Sequence, residues 1–170
     1  MRIEIDTLPP EGLRISRDFD FQGSDLVEEE AVFLQPAHVE VTIRKIGEEI
    51  SVKGRLSTRL SMPCSRCLTL FEYPVDSLFD LIFLPEELGD IKEELSNEDM
   101  DRSYFIDRTL DLEAVVLEQL NLTFPAKPLC SKDCQGICPV CGQIRRESGC
   151  GCSVREDDPR WIKIKNFIKD

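Results

Sequence analysis

The chain has 170 residues, a formal net charge of −12 and a hydrophobic fraction of 41%. This length allows one ordinary domain with a small satellite and excludes two full domains. No stretch approaches the roughly 20 consecutive apolar residues that a membrane-spanning helix needs, and the first residues do not resemble a signal peptide. We therefore expect a cytoplasmic protein with no membrane contact, in a compartment where thiols stay reduced.

Alternating hydrophobicity predicts an antiparallel sheet in the first half of the chain. Apolar and polar residues alternate over residues 39–43 and again over 50–62, with a turn at Gly47 between the two runs. The alternation resumes over residues 69–75 and leads into an apolar run at 79–84. These runs indicate half-buried strands in an antiparallel sheet, either open or closed into a small barrel.

An acidic segment and a helix follow the predicted strands. Residues 85–103 are polar and strongly acidic, which is typical of a mobile surface loop. Asp111 precedes apolar residues at helical spacing and Pro125 follows them, so we expect a helix over residues 111–122. A helix that packs on an antiparallel sheet gives the α+β fold class.

Eight cysteines in four close pairs dominate the rest of the sequence. In a reduced compartment such pairs indicate zinc ligands, whereas a disulfide framework would suit a small secreted domain. We expect two zinc ions, each in a four-cysteine site. The first predicted site joins a hairpin tip to the tail through Cys64, Cys67, Cys130 and Cys134, and the second is built on a C-P-x-C-G knuckle from Cys138, Cys141, Cys150 and Cys152. The sequence also permits a different pairing of these cysteines.

The cysteines divide the chain into two expected units. Residues 1–128 form the sheet domain with its acidic loop and helix, and residues 129–170 form a zinc segment that ends in a helix beginning near Asp158. Residues 130–152 contain few apolar side chains, so a metal must stabilise them. Structural zinc contributes about 10–16 kcal/mol in small peptides, which is ample.

Two chemical interpretations compete at the first cysteine pair. A closed four-thiolate site has no open coordination position, which predicts a structural metal, no enzymatic activity and no small-molecule substrate. However, His38-x-Glu40 and the P-C-x-x-C sequence at Cys64 match the zinc-deaminase pattern, in which one histidine and two cysteines hold zinc. Strand-like surroundings, and the lack of any role for the cysteines at 130 and 134, argue against the deaminase.

One predicted strand and the turn after it carry cations without any acidic residue between positions 50 and 70. As the solvent-facing side of a half-buried strand, these cations need no function. Beside Phe71 and Tyr73 they would also suit phosphate contact with base stacking. The candidate RNA-binding residues are Lys53, Arg55, Arg59 and Arg66.

Four motifs together resemble those of a known family. They are Cys64-Ser-Arg-Cys67-Leu68 after alternating strands, the tail from Pro128 to Gly142, Cys150-Gly-Cys152, and Asp158-Pro-Arg-Trp161. The resemblance, over about residues 35–168, is to the YceD family of bacterial large ribosomal RNA subunit accumulation proteins. It implies a non-enzymatic role in accumulation or processing of 23S rRNA and in assembly of the large subunit. The implied partners are 23S rRNA or its precursor, large-subunit proteins and precursor particles.

A second function from a different class remains open. Closely spaced zinc thiolates can release their metal on oxidation and unfold the segment that they hold. The alternative is therefore a zinc-dependent thiol-switch chaperone or a protein-interaction module.

Overall fold

A computed structural model describes residues 1–28, 30–86, 102–145 and 150–152 of the protein. The strands are β1 (Arg2–Glu4), β2 (Leu13–Phe19), β3 (Val32–Phe33), β4 (Ala37–Ile46), β5 (Glu49–Pro63), β6 (Leu70–Pro85), β7 (Arg102–Phe105) and β8 (Thr109–Asp111), and the helix is α1 (Leu112–Leu122). Most of the predicted acidic loop and the predicted C-terminal helix lie outside the described residues.

Six strands form one sheet, in the order β2–β4–β5–β6–β7 with β3 paired to β5. Every pairing in this sheet is antiparallel except that of β6 with β7, which is parallel. The predicted sheet is confirmed, but its purely antiparallel character is wrong at β7. The acidic segment between β6 and β7 is long enough for the crossover that a parallel pair requires. In the described part of the chain β2 and β7 are the outer strands, and β1 and β8 pair separately.

One face of the sheet and one side of α1 share the hydrophobic core. Apolar side chains at every second position of β4, β5 and β6 are buried together with the helix residues Leu112, Val116 and Leu120. Asp111 begins the helix, since its side chain accepts a hydrogen bond from the Glu113 N–H at 3.1 Å. The predicted helix is therefore confirmed, with its N-cap at the expected residue.

The hairpin of β5 and β6 positions the first pair of cysteines. Its register runs from Ile50 opposite Phe83 to Pro63 opposite Leu70, and fifteen residues of β5 correspond to roughly 50 Å of strand. Gly47, with φ +64°, makes the turn from β4 into this hairpin, as predicted. The far end of the hairpin therefore presents residues 64–69 at the end of a long, well-paired arm.

Gly54 allows a close approach in the middle of this arm. A Cβ atom at this position would lie 2.5 Å from Cζ of Phe79 and 2.9 Å from the carbonyl oxygen of Glu40. The carbonyl belongs to the neighbouring strand and cannot move without disturbing the sheet. We expect Gly54→Ala to lower the free energy of unfolding by about 1–3 kcal/mol, measured by urea denaturation.

Ser51→Ala provides the control for this substitution, because Ser51 lies on the same strand and faces away from the core. Its unfolding midpoint should stay within experimental error of the wild type. Equal stability of the Gly54 and Ser51 variants would show that the strands can separate to admit a methyl group at no cost.

Candidate metal centre

The tip of the β5–β6 hairpin meets the segment that follows α1. The four sulfur atoms of Cys64, Cys67, Cys130 and Cys134 lie within 4.8 Å of one another. Cys64 and Cys67 are buried, with exposed fractions of 0% and 5%, whereas Cys130 is exposed. The structure thus brings together the four residues that the sequence assigned to the first site.

The separations of these sulfur atoms fit a tetrahedral metal ion. The Sγ atoms of Cys64 and Cys134 are 3.8 Å apart, and those of Cys67 and Cys130 are 3.7 Å apart. Four thiolates around one zinc, each at about 2.3 Å, place neighbouring sulfur atoms about 3.8 Å apart. A disulfide would require about 2.05 Å. The donor set and its spacing therefore match a closed, structural four-thiolate site.

Backbone hydrogen bonds shape the tip of the hairpin around this site. The N–H of Cys64 donates to the carbonyl of Thr69 at 3.0 Å, and the N–H of Leu68 donates to the carbonyl of Cys64 at 2.8 Å. Leu68 adopts a φ of +59°, which few non-glycine residues do. This tight turn brings the thiols of Cys64 and Cys67 into the same site.

Hydrogen bonds at the first site favour the thiolate forms of Cys64 and Cys67, the two cysteines at the hairpin tip. Burial opposes ionisation of Cys64, but hydrogen bonds from the backbone of Cys130, Arg66 and Cys67 outweigh it and lower its pKa to about 6. The hydroxyl and N–H of Thr69 lower the pKa of Cys67. Hydrogen bonding to the Cys134 thiol raises the pKa of Cys130 to about 12. A metal ion that binds these four sulfur atoms would therefore displace the protons that remain on them.

The second group of thiols is built on the predicted knuckle. The sulfur atoms of Cys138, Cys141, Cys150 and Cys152 also lie within 4.8 Å of one another. Gly142, at φ +73°, allows the turn that follows the second cysteine, and its N–H donates to the Cys138 carbonyl at 2.8 Å. The glycine of the C-P-x-C-G motif therefore takes the left-handed backbone conformation that this turn requires.

Donors around Cys138 stabilise its thiolate. Hydrogen bonds from the backbone of Cys141 and Val140 lower the pKa of Cys138 to about 5, and the Val140 N–H lies 3.4 Å from its sulfur. The Arg145 guanidinium donates to the same sulfur at 3.7 Å. Arg145 was not among the residues predicted from the sequence, although a cation between two cysteine pairs is a usable signal for charge compensation at a thiolate site.

Short backbone contacts join the two thiol groups into one structure. The N–H of Ser65 donates to the carbonyl of Pro128 at 2.8 Å, and that of Ile137 donates to the carbonyl of Arg66 at 3.2 Å. Gly136, at φ +73°, lies so close that a Cβ atom would come within 2.9 Å of the same carbonyl. The Arg66 side chain also donates to the Cys134 carbonyl at 2.7 Å. The hairpin tip is thus attached to the tail at several points besides the sulfur atoms.

The four candidate RNA-binding cations lie on two different surfaces. Lys53, Arg55 and Arg59 project from the outer face, which we define as the side of the large sheet opposite its hydrophobic core, whereas Arg66 lies at the hairpin tip. Lys53 forms an ion pair with Asp80 at 2.6 Å, and Arg55 binds Asp76 through two hydrogen bonds. The guanidinium of Arg55 lowers the pKa of Asp76.

The outer face of strands β2, β4, β5 and β6 carries no excess of cations. By register, its five cations are Arg14, Arg44, Lys53, Arg55 and Arg59, and its six carboxylates are Asp18, Glu40, Glu49, Glu72, Asp76 and Asp80. The run of cations without acids in the sequence therefore faces acids from the neighbouring strands. The hairpin register could have shown this, because a strand partner that starts at Leu70 opposite Pro63 puts Asp80 opposite Lys53.

The aromatic residues expected beside these cations lie on the other side of the sheet. Phe71 and Tyr73 pack against the core, and the Tyr73 hydroxyl donates to the Thr123 carbonyl at 3.0 Å. Tyr73 thereby ties the end of α1 to the sheet, and neither ring can stack bases on the outer face.

The deaminase interpretation finds no support at the thiol groups. His38 sits on the outer face, where its Nδ1 lies 2.6 Å from a carboxylate oxygen of Asp18, and it belongs to neither group of potential metal ligands among the described residues. Cys64 and Cys67 instead share their site with two further cysteines. Each site resembles a closed structural centre and lacks the histidine that the deaminase pattern requires.

Taken together, a mixed sheet with one packing helix and two tetracysteine groups defines an α+β protein with two candidate metal sites. The sequence profile of the family described as large ribosomal RNA subunit accumulation protein YceD matches residues 52–168. This match covers more than half of the chain and includes all eight cysteines, so the chain belongs to the YceD family. No solved structure matches it.

Relatives occur in bacteria and in plants. An uncharacterised protein of Mycobacterium tuberculosis is 30% identical over 131 residues, which are 76% of this chain and 61% of the relative. The chloroplastic YCED homolog 2 of Arabidopsis thaliana, named a large ribosomal RNA subunit accumulation protein, is 25% identical over 159 residues, which are 88% of this chain and 65% of that protein. The chain thus spans less than two thirds of the length of these curated relatives. None of the described helices has the length and apolarity to cross a membrane.

Metal analysis of the purified protein tests the two sites. We expect two equivalents of zinc per chain by mass spectrometry, because each tetracysteine group offers a complete tetrahedral ligand set. Cys130→Ser should remove one equivalent and Cys141→Ser the other. Ser65→Ala, which alters an exposed residue between two ligands, should retain both.

Wild-type protein that is purified under reducing conditions and contains no metal, with all eight thiols open to alkylation, would contradict this assignment. One equivalent that survives both cysteine substitutions would indicate a different ligand set.

Proposed function

We propose that the protein is a non-enzymatic, cytoplasmic factor that promotes accumulation and processing of 23S rRNA and thereby assembly of the large ribosomal subunit. Membership of the YceD family over residues 52–168 carries this proposal. Two plant relatives bear names that state a role in accumulation of the large ribosomal RNA subunit. The family match extends over β6, most of β5 and every cysteine, so both tetracysteine groups and nearly all of the hairpin that positions the first one belong to the matched region.

The chemistry of the tetracysteine groups supports a structural role for zinc. A zinc ion with four thiolates supplies cross-linking and has no open position for a substrate. The chain's own donors compensate thiolate charge at both sites, since the Val140 N–H and Arg145 donate to the sulfur of Cys138 and backbone hydrogen bonds lower the pKa of Cys64. In this proposal the metal holds a binding surface in shape, and the protein acts by contact with its partners.

The proposed partners are 23S rRNA or its precursor, within precursor particles that also contain large-subunit proteins. A chain with a net charge of −12 can approach RNA only through a surface from which its acidic residues are absent, because phosphate contacts require exposed cations. The candidates from the sequence, Lys53, Arg55, Arg59 and Arg66, remain predictions in this respect.

Crosslinking in cells tests this function. Ultraviolet crosslinking of the tagged protein, followed by sequencing of the attached RNA, should enrich a defined stretch of precursor large-subunit rRNA over an untagged control. Loss of the gene should lower the ratio of 23S to 16S rRNA, and expression of wild type or Ser65→Ala should restore it. A normal ratio in the deletion strain, with no enriched RNA, would exclude the proposal.

The exposure of one thiol in each site favours a second candidate function. Cys130 and Cys141 are both exposed, so an oxidant can reach a sulfur atom of each site. A thiol-switch chaperone would release zinc under mild peroxide and gain the ability to prevent aggregation of an unfolded client. For the assembly factor we expect no such holdase activity before or after oxidation, measured by light scattering of heat-denatured citrate synthase. Peroxide-dependent holdase activity would favour the switch.

A further inference from the structure

One end of the molecule differs in charge from the rest of the described chain. We define the metal end as residues 64–69, 125–145 and 150–152, which include both tetracysteine groups. Its side chains carry four cations against the single carboxylate of Asp133. The cations are Arg66, Lys127, Lys132 and Arg145. The surrounding protein is strongly acidic, so this end is where a polyanion would meet the least repulsion.

We propose that the metal end is the surface through which the protein contacts the phosphates of unpaired rRNA. This inference rests on the proposed function and assigns it to a particular surface. Lys127 and Lys132 are exposed and, within the described part of the chain, form no ion pair. By contrast, Lys53 and Arg55 on the outer face are neutralised by Asp80 and Asp76.

The metal end holds its cations on a rigid frame. Lys132 lies in the turn between Cys130 and Cys134, and Lys127 precedes Pro128, whose carbonyl accepts the Ser65 N–H at 2.8 Å. The guanidinium of Arg66 is anchored on the Cys134 carbonyl at 2.7 Å. Fixed backbone positions lower the entropy that is lost when a phosphate binds.

Metal-bound thiolates would place negative charge at the same end. Two four-thiolate zinc sites would each carry a formal charge of −2, part of which backbone N–H groups and Arg145 compensate through hydrogen bonds to sulfur. Cys64 and Cys138 are buried, with exposed fractions of 0% and 1%, whereas Cys130 and Cys141 are exposed. Phosphate contact at this end therefore depends on the exposed ammonium groups of Lys127 and Lys132, which have no carboxylate partner within the described part of the chain.

Apolar side chains at the same end point to RNA with unpaired bases. Leu68 and Val140 are 68% and 58% exposed, and Ile137 and Ile144 are 45% and 43% exposed. In double-stranded RNA the base faces are stacked inside the helix, whereas in loops and single strands they are available for contact with side chains. A surface that combines cations with exposed apolar groups suits the binding of RNA loops and single strands.

Two charge-reversal variants with equal change in charge test the assignment. Lys127→Glu/Lys132→Glu alters the metal end, and Arg14→Glu/Arg44→Glu alters the outer face at two cations that have no ion pair among the described residues and are not candidate RNA-binding residues. The probe is an in vitro transcript of single-stranded segments of precursor 23S rRNA, and the readout is the dissociation constant by filter binding at several salt concentrations. Both variants are first checked for two equivalents of zinc and unchanged circular dichroism.

We expect the metal-end variant to bind the transcript about tenfold more weakly or worse at 0.1 M salt, with a salt slope smaller by about 1.4 for two lost phosphate contacts. The outer-face variant should bind within about twofold of the wild type. The same transcript annealed to its complementary strand should compete poorly with the single-stranded transcript for binding to the protein. If the metal-end reversal disturbs zinc binding, Lys127→Gln/Lys132→Gln replaces it, with a smaller loss expected in the same direction.

The remaining outcomes separate this inference from the proposed function. A loss of binding in the outer-face variant alone would overturn the inference and leave rRNA binding intact. Weaker association of the metal-end variant with precursor particles, but unchanged binding to the bare transcript, would assign the surface to a protein partner and also overturn the inference. A wild-type protein that binds no rRNA, together with a normal 23S to 16S ratio in the deletion strain, would remove the proposed function itself.

Discussion

The convergence of four sulfur atoms from two distant parts of the chain is the constraint on which the rest of this structure depends. Cys64 and Cys67 reach the meeting point because β5 and β6 remain paired along their whole length. Cys130 and Cys134 reach it because α1 packs on the sheet and directs the following segment toward the hairpin tip. Any slip of the hairpin by one residue would turn every core side chain outward and separate the thiols.

Local chemistry accounts for most of what the sequence predicted correctly. The helix begins at Asp111 because a carboxylate there accepts the Glu113 N–H, and the pattern of Leu112, Val116 and Leu120 is readable within three turns. The knuckle at Cys138 is equally local, since proline and glycine fix its turn. The alternation of apolar and polar residues in β4, β5 and β6 is also a local pattern and was therefore visible in the sequence.

Features that join distant residues were not predictable in the same way. The parallel placement of β7 depends on where a long acidic segment leads the chain, and no pattern within four residues encodes it. The pairing of Lys53 with Asp80 depends on hairpin register, so the cations looked unopposed when the strand was considered alone. The outer face as a result carries no excess of cations, whereas at the metal end the side-chain cations outnumber the carboxylates.

The long sequence distance across the first tetracysteine group has a consequence for biosynthesis. Cys64 and Cys134 are 70 residues apart, so a metal ion bound there would act as a cross-link that closes a large loop, which in the chain-entropy treatment of disulfides is worth about 4 kcal/mol. A nascent chain that has emerged only through β6 has two of the four thiols. The complete ligand set exists only after α1 and the segment beyond it have been synthesised and have packed. Four-coordinate metal binding at this site would therefore follow the packing of the hairpin tip against the segment after α1.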